Sequence, residues 1–330
     1  MFLTRLTTWA RTKNSILYFL VLFTFLSLSY FGFGTYRNWH YKIESDGKYY
    51  YQYLVSGFYD KDFDFTNNYQ TPKYEWMNTE IDHYAFKNNV SPITGRPTNL
   101  FTIGPSILWL PLFLLAKISA NSLNMIGFKI DLNPWGKFFQ YTVMYSAVVY
   151  TVLTLYLLYR LLIRYFENNI AIRATWLLLI STNLFYYTIF EVSMSHVYDL
   201  FTYVLFLILF VESIKNTRPV VYLALAIAGA LHVLVRTQNI LTIILFSVLL
   251  FLIPLISQKK LPSFKLIGIY GMVLFIGLLP IPLLNIYLFG NPFVIPQGNG
   301  FLSLTNPKIL KVLFFLRNGL FSHHPYLLLG

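Results

Sequence analysis

Apolar runs recur along this chain at a length close to the roughly 20 residues that a helix needs to cross a hydrocarbon core. Of the 330 residues, 56% are hydrophobic and only 12% are charged, which leaves too few charges to cover a soluble protein of this size. We therefore predict an all-α polytopic membrane protein with about seven transmembrane helices. Residues 1–330 are interpreted as a single transmembrane domain.

The formal net charge of +12 needs its own explanation, since a strongly basic soluble protein often binds nucleic acid. Here the basic residues occur in short clusters between apolar runs rather than on one continuous face. Membrane topology explains that arrangement, and nucleic-acid binding is not expected. The chain contains no cysteine, which excludes disulfides and cysteine-based metal or redox chemistry.

Basic residues indicate how the spans are oriented, because Lys and Arg collect on the cytoplasmic side. Arg5, Arg11 and Lys13 precede the first apolar run at 15–34, so the N-terminus is predicted to be cytoplasmic. That run ends in bulky residues rather than a small-residue cleavage site, which favours an uncleaved span. Each later basic cluster becomes cytoplasmic if a long external loop is followed by these spans: 138–162, 173–190, 197–211, 220–235, 240–256 and 266–289.

The predicted external loop, residues 35–137, is rich in tyrosine and acidic residues. Most of the 13 acidic residues of the chain lie between Glu44 and Asp82. Its last part, 101–116, is apolar but short, and two prolines interrupt it. We interpret this part as a juxtamembrane or re-entrant segment, because counting it as a span reverses the orientation of every later segment. A full crossing is the alternative.

The chain after Gly290 is predicted to be external again, because the last span leads outward from a basic cluster. It contains an amphipathic stretch near 308–317, and it ends in the apolar residues PYLLLG. We therefore expect more of the protein, either further helices or a soluble domain, to follow Gly330.

Ionisable residues beside or within spans are candidates for function, since burying them unpaired is costly. On the predicted topology they converge on the external side. They are Asp46, His196, Asp199, Arg236, Arg317, His323 and His324. This set predicts a polar cavity that combines carboxylates with cations, which suits a phosphate-bearing lipid and a hydroxyl-bearing acceptor.

Each candidate also has a purely structural interpretation. Asp46 precedes a glycine, as in an ordinary turn, and His196 and Asp199 are spaced to pair with each other or to cap a helix. Arg236 stands where an arginine can extend to the membrane interface. Interfacial packing is likewise the alternative for the tyrosines that follow Asp46: Tyr49, Tyr50, Tyr51 and Tyr53.

Short segments of the sequence occur in an informative order. They are SDGKYYYQYL after the first span, GRPTNLFTIGPSILWLPLFLLA before the second, and then MSHVYDLF, VRTQN and RNGLFSHHP. Together they make nearly the whole chain resemble bacterial members of the C-type glycosyltransferase (GT-C) superfamily. These are multispan enzymes related to protein O-mannosyltransferases and to the aminoarabinose transferase that acts on lipid A.

The resemblance implies a membrane glycosyltransferase that moves a sugar from a polyprenyl-phosphate donor to a hydroxyl of a lipid, glycan or protein acceptor, with inversion at the anomeric carbon. Asp46 is then expected to act as the general base. Arg236 and Arg317 are expected to bind the donor phosphate, and His196 or His324 to contact it or to help hold a divalent metal ion. Candidates for contacts with the sugar or acceptor are Tyr49, Tyr50, Tyr53 and Asp199.

The sequence departs from the superfamily pattern at two places. Many relatives have a second acidic residue beside the catalytic aspartate, whereas Gly47 follows Asp46 here, so the second carboxylate and the metal dependence stay open. Related sequences usually have Arg-Pro where this chain has Arg236 and Thr237. The implied location is the bacterial cytoplasmic membrane, with the active site on the external side.

Two other function classes compete with this hypothesis. A transporter or a flippase for lipid-linked sugars predicts polar residues near the bilayer midplane and paired, interrupted helices. The polar candidates collect at one face instead, which favours the enzyme. A non-catalytic membrane scaffold with a sugar- or peptidoglycan-binding loop is the second alternative, and it predicts binding without turnover.

Overall fold

The computed structural model describes residues 2–36, 43–70, 90–258, 263–297, 307–317, 319–323 and 325–328. These residues are helical or irregular, apart from an isolated bridge between Val90 and Pro97, so the predicted all-α fold is confirmed for this part of the chain. The chain divides into two compact units, residues 1–292 and 293–330.

The helices of the first unit are α1 (Phe2–Tyr36), α2 (Gly47–Val55), α3 (Thr66–Gln70), α4 (Gly104–Met125), α5 (Lys137–Met144), α6 (Ser146–Leu162), α7 (Asn168–Ser181), α8 (Leu184–Ile189), α9 (His196–Lys215), α10 (Pro219–Val235), α11 (Ile240–Gln258), α12 (Phe264–Leu278) and α13 (Pro280–Phe289). A π-helical turn (Ser56–Asp60) follows α2, and a 3₁₀ turn (Thr237–Asn239) precedes α11. The second unit contains α14 (Ile309–Phe314), α15 (Leu320–His323) and a 3₁₀ turn (Pro325–Leu328).

Among the described residues, 6 helical segments are long and apolar enough to cross a membrane. They are Ser15–Phe33, Gly104–Met125, Lys137–Leu162, His196–Lys215, Thr237–Ile256 and Phe264–Phe289. Helix α10 is also apolar but has 17 residues. By length and composition, the chain is a multi-pass membrane protein.

The structure differs from the sequence expectation in the segment at 101–116. Its prolines were expected to interrupt it, yet α4 is a continuous helix of 22 residues with Pro111 inside it. Pro105 lies in the first turn of α4, where its missing N–H has no helical partner to lose. The helix therefore reaches spanning length, contrary to the expectation of a short segment.

The predicted span at 173–190 is divided into α7 and α8. Thr182 between them has an extended backbone (φ −121°, ψ 175°). Its hydroxyl donates to the carbonyl of Leu178 at 2.6 Å and accepts from the backbone N–H of Leu184 at 3.2 Å. Hydroxyl side chains compete in this way with the backbone bonds of a helix, and this explains the break.

Despite the break, α7 and α8 together follow α1 in parallel. Tyr18, near the start of the apolar part of α1, contacts the ring of Trp176 at 5.9 Å. Further along, the rings of Phe25 and Phe185 are 6.2 Å apart, and near the end of α1 Phe33 contacts the ring of Phe190 at 5.4 Å. The two broken pieces thus extend over the apolar length of α1.

Contacts at the two ends of the helices give the bundle its direction. At one end, Arg164 after α6 pairs with Glu212 of α9 at 3.3 Å, and Tyr222 of α10 donates to the carbonyl of Ser213 at 3.3 Å. We call this the Glu212 end. At the other end α1 leads toward α2, α9 begins and α10 finishes, and we call this the Asp199 end.

Helix α4 packs on the Asp199 end of the bundle. The buried Trp109 contacts the rings of Tyr51 of α2 at 6.3 Å and Tyr198 of α9 at 5.6 Å. One turn later, Phe113 contacts the ring of Phe139 of α5 at 5.7 Å. After α4 the chain turns back into α5 and α6, which descend toward the Glu212 end.

The loop before α4 is fastened to the end of α13. Thr94 donates to the carbonyl of Leu288 at 2.7 Å. The guanidinium of Arg96 lies 4.1 Å from the ring centre of Tyr287 and donates to its carbonyl at 3.0 Å. These bonds hold the first long loop and the last apolar helix of the unit together.

Candidate functional site

Asp46 stands directly before α2, and its carboxylate makes no cap bond to that helix. Ser45 before it has a left-handed backbone conformation (φ 46°), and the Ser45 hydroxyl donates to Asp46 Oδ1 at 3.4 Å. Burial raises the pKa of the Asp46 carboxyl, while the Ser45 hydrogen bond and the positive charge of Arg236 act in the opposite direction. The carboxylate is therefore half-buried and within electrostatic range of Arg236.

Gly47 brings α2 against the segment that precedes α9. A Cβ atom at Gly47 would overlap the side chain of Ser193. The Ser193 hydroxyl lies 3.1 Å from both the backbone N–H and the carbonyl oxygen of Glu44. The Asp-Gly pair is thus more than a turn signal: the glycine allows the start of α2 to lie against Ser193, and no second acidic side chain fits there.

Tyr50 lies one helical turn after Asp46 and faces the same cluster. Its carbonyl accepts a hydrogen bond from Ser106 of α4, and its ring contacts Phe101 at 5.2 Å. Burial raises the pKa of Tyr50 to about 12. The Ser195 hydrogen bond and Arg236 lower this pKa, whereas Asp46 and Asp199 raise it, and all four influences are smaller than that of burial. The phenol is therefore neutral at physiological pH and is suited to hydrogen bonding rather than to proton abstraction.

Three side chains from other elements lie close to Asp199, in the first turn of α9. Asn239 donates to Asp199 Oδ1 at 2.6 Å. His232 Nδ1 lies 3.5 Å from the same oxygen, and Arg236 Nη1 lies 3.7 Å from Oδ2. The carboxylate is 23% exposed, so it links α9, α10 and the turn after α10 at the edge of the cluster.

His232 lies inside α10 and is only 3% exposed. Its Nδ1 is 3.0 Å from the hydroxyl of Thr202, which in turn lies 2.9 Å from the backbone carbonyl of Asp199. The pattern fits a neutral ring with its proton on Nδ1: the ring donates to Thr202, and the Thr202 hydroxyl donates to the carbonyl. A satisfied neutral histidine is the form that an apolar helix can bury.

Arg236 follows α10 in an extended conformation (φ −147°, ψ 118°). The chain before α4 fixes this exit: Thr102 donates to the carbonyl of Val235 at 3.1 Å, and a Cβ atom at Gly104 would overlap the backbone of Leu234. The Arg236 side chain is 31% exposed. It therefore has donors that an anionic ligand can reach.

The structure brings four of the sequence candidates together at the Asp199 end: Asp46, His196, Asp199 and Arg236. The His196 ring stacks on the ring of Tyr187 with centres 4.1 Å apart, and it is within electrostatic range of Arg236 and Asp199. Asp199 is bound by residues of α10 and the turn after it, which goes beyond the simple pairing or capping that its spacing from His196 allows. Tyr50 joins this group through Ser195.

Other candidates lie elsewhere. The Tyr49 ring packs on Phe101 at 5.2 Å, and Tyr53 belongs to a separate apolar cluster with Phe65 and Leu288. Arg317 is in the second unit and is exposed. His324 lies outside the described residues, and of His323 only the helical backbone is described.

Sequence reasoning missed several residues of the cluster: Thr202, His232, Asn239, Ser193 and Gly104. His232 had a detectable signal, since a histidine within the apolar run at 220–235 is unusual. Asn239 and Gly104 lie in segments that carry the resemblance, but no role was assigned to them, and Ser193 had no signal, because the importance of all three depends on which helices meet. Only the folded chain shows those contacts.

A divalent metal ion was considered for this site. Among the residues that the structure describes, no group of three or more His, Cys, Asp or Glu side chains is arranged to hold one. Asp199 is engaged by Asn239, His232 and Arg236. The described cluster therefore offers no complete set of ligands for a divalent metal ion.

No protein-family model, no curated protein and no solved structure matches this chain.

Proposed function

We propose that this protein is a GT-C-type membrane glycosyltransferase, which transfers a sugar from a polyprenyl-phosphate donor to an acceptor hydroxyl on the external side of a bacterial cytoplasmic membrane. The observation that supports it best is that one polar cluster contains a half-buried carboxylate and a partly exposed arginine within electrostatic range of each other. These two residues, Asp46 and Arg236, come from distant parts of the sequence. A membrane scaffold has no need of this arrangement.

In the proposed reaction, Asp46 accepts the proton of the acceptor hydroxyl. The acceptor oxygen attacks the anomeric carbon as the bond from that carbon to the phosphate oxygen breaks. The electron pair leaves with the polyprenyl phosphate, and the guanidinium of Arg236 compensates its charge. The products are the glycosylated acceptor with inverted configuration, the lipid phosphate and a protonated Asp46, which releases its proton to water.

Asp46 suits this role electrostatically. Burial raises its pKa, and this makes its carboxylate a stronger base than one in water. The Ser45 hydrogen bond and the charge of Arg236 oppose this shift and favour the ionised form that can accept a proton. A base and a cation within electrostatic range of each other match the two places where charge changes in the transfer.

The proposed topology has seven crossings: α1, α5–α6, α7–α8, α9, α10, α11 and α12–α13. It counts α7 and α8 as one crossing because they follow α1 throughout its apolar length. Arg160, Arg164, Lys215 and Arg218 then belong to the Glu212 end, which the positive-inside rule makes cytoplasmic. The Asp199 end, with its candidate site, becomes external.

In this topology α4 does not cross the membrane although it is long enough. It starts at Leu234 and packs on α2 and α5 at the Asp199 end. A crossing helix would instead follow α6 down toward Arg164. We infer that α4 is a juxtamembrane helix of the external loop, which holds α2 and the exit of α10 in place.

The test of this function is a transfer assay with purified protein in lipid vesicles. Polyprenyl-phosphate donors with different radiolabelled sugars are mixed with lipid, glycan and peptide acceptors. We expect one donor to yield both a glycosylated acceptor and free polyprenyl phosphate. Failure of every donor to react, under conditions where the protein is folded, would contradict the proposal.

A flippase for a lipid-linked sugar is the second candidate, and the break between α7 and α8 is the observation that favours it. Transporters use interrupted helices near the midplane. The break at Thr182 lies beside α1, between the two ends of the apolar part of that helix. The same vesicles distinguish the two functions. A flippase moves a fluorescent polyprenyl-phosphate sugar between leaflets without consuming it, whereas the proposed enzyme converts the donor.

A further inference from the structure

The turn after α10 contains a side-chain bond that the proposed reaction does not use directly. Asn239 ends the 3₁₀ turn, and its backbone N–H donates to the carbonyl of Arg236 at 2.9 Å. Its side-chain amide reaches back to α9, where it donates to Asp199 Oδ1 at 2.6 Å. Asn239 and Arg236 therefore approach the same carboxylate from one short turn.

The amide nitrogen of Asn239 has two protons, and three polar atoms lie within reach. The two shortest distances are 2.6 Å to Asp199 Oδ1 and 2.9 Å to the carbonyl of His232. His232 Nδ1 is farther, at 3.2 Å, and it already has Thr202 as a partner at 3.0 Å. The amide protons are therefore assigned to Asp199 and to the backbone of α10.

The two oxygens of Asp199 consequently have different partners. Oδ1 is held by Asn239, so the rotation of the carboxylate is fixed and Oδ2 is directed at Arg236 Nη1, 3.7 Å away. A carboxylate held on one side of a guanidinium leaves the other donors of the guanidinium for a ligand. Without Asn239, Asp199 is free to rotate, and the orientation of Arg236 loses its support.

We propose that Asn239 is a positioning residue that orients Arg236 for the donor phosphate by fixing the carboxylate of Asp199. This inference rests on the proposed function for the identity of the ligand. The orientation of Arg236 itself does not depend on the ligand. It therefore has a test that needs no sugar donor.

The first test measures the reactivity of Arg236 in the full-length protein with phenylglyoxal, which modifies arginine, by mass spectrometry of peptides. Asn239→Leu keeps the branching of the side chain at Cγ but removes both amide protons. We expect Arg236 to be modified several times faster in this variant, because its guanidinium has lost a fixed partner. Arg96 is the internal reference, because it packs on the ring of Tyr287 and donates to the carbonyl of that residue. Arg96 is expected to react at an unchanged rate.

The second test measures transfer in the Asn239→Leu and Asp199→Asn variants and in the double variant. We expect Asn239→Leu to raise the KM for the donor about tenfold and to change kcat less, because Asp46 stays in place. In the Asp199→Asn background the same change is expected to have little further effect, since residues that act through one contact are not additive. Asn285→Ala is the matched control: its amide also donates to a carbonyl, that of Pro292 at 3.1 Å.

The outcomes separate this inference from the proposed function. An unchanged rate of Arg236 modification in Asn239→Leu overturns the positioning role, whatever the ligand is. Additive losses in the double variant overturn it as well, because Asn239 then acts without Asp199. If the wild type transfers no sugar while the Arg236 rate rises as expected, the positioning role is upheld and the proposed function fails.

Discussion

At the scale of single residues, the candidate site depends on an imbalance in the environment of Asp46. Burial raises the pKa of its carboxyl, whereas Ser45 and Arg236 counteract that shift. The ionised form that can accept a proton is lost as the pH falls through this raised pKa. The acid limb of activity is therefore expected at a higher pH than a solvent-exposed aspartate would give.

Ser45 offers a direct way to move that limb. Ser45→Gly removes the hydroxyl that lowers the pKa of Asp46, and glycine adopts the φ of 46° at this position without strain. We expect the pH of half-maximal kcat/KM on the acid side to rise relative to the wild type. A pH profile that stays in place, or moves to lower pH, would show that another group sets the limb.

Gly47 is a position where an added side-chain atom is expected to destabilise the fold. A Cβ atom there meets Ser193, and overpacking of this kind typically costs about 1–3 kcal/mol. Gly47→Ala is therefore expected to lower the melting temperature and to impair transfer by displacing Asp46. Gly32→Ala is the control, because a Cβ atom at Gly32 has nothing within 4 Å.

A compensating change makes the Gly47 prediction specific. Ser193→Gly removes the side chain that Gly47→Ala would overlap. The double variant is expected to recover part of the stability that Gly47→Ala loses, as measured by thermal unfolding in detergent. Losses that simply add would indicate that the glycine matters for its backbone alone.

At the scale of elements, the sequence indicated where helices occur better than where they end. Apolar length was sufficient to locate α1, α6, α9 and α11, because a span must satisfy its own backbone in lipid. The break at Thr182 and the continuity of α4 through Pro111 were not foreseen. Both depend on local competition for backbone bonds, which length and hydropathy do not measure.

The candidate site was foreseen only in part, for a related reason. Charges beside spans pointed to Asp46, His196, Asp199 and Arg236, because ionisable groups are rare in such a sequence. Ser193, Gly104 and Asn239 are small or neutral, and they matter only through contacts between distant elements. A single sequence contains no signal of those contacts.

The orientation of α4 is an element-scale prediction that labelling can check. The chain has no cysteine, so a single introduced cysteine reports its own position. Met125, at the end of α4, is 86% exposed. Met125→Cys in intact cells is expected to react with a membrane-impermeant maleimide, as Ile93→Cys should in the loop that the proposed topology makes external. Labelling of Met125→Cys only after permeabilisation, in the manner expected of Glu167→Cys, would mean that α4 crosses the membrane.

At the scale of the whole molecule, charged residues occur at both ends of the helix bundle. In the proposed topology, the basic residues of the Glu212 end lie on the cytoplasmic side. The acidic and cationic groups of the Asp199 end are brought together by α2, α4, α9 and α10, with the turn after α10 completing the cluster. The long loop after α1 is thus more than a connector, because it supplies Asp46 and also supports the segment that holds Arg236.

The central claim is that this end of the molecule catalyses sugar transfer with Asp46 as the base. Its most direct test is the single-turnover rate of transfer by Asp46→Asn, compared with Asp62→Asn, which changes an exposed carboxylate of the same loop. We expect Asp46→Asn to lose at least about 100-fold, the usual contribution of a general base, and Asp62→Asn to keep the wild-type rate. Undiminished transfer by Asp46→Asn would contradict the claim.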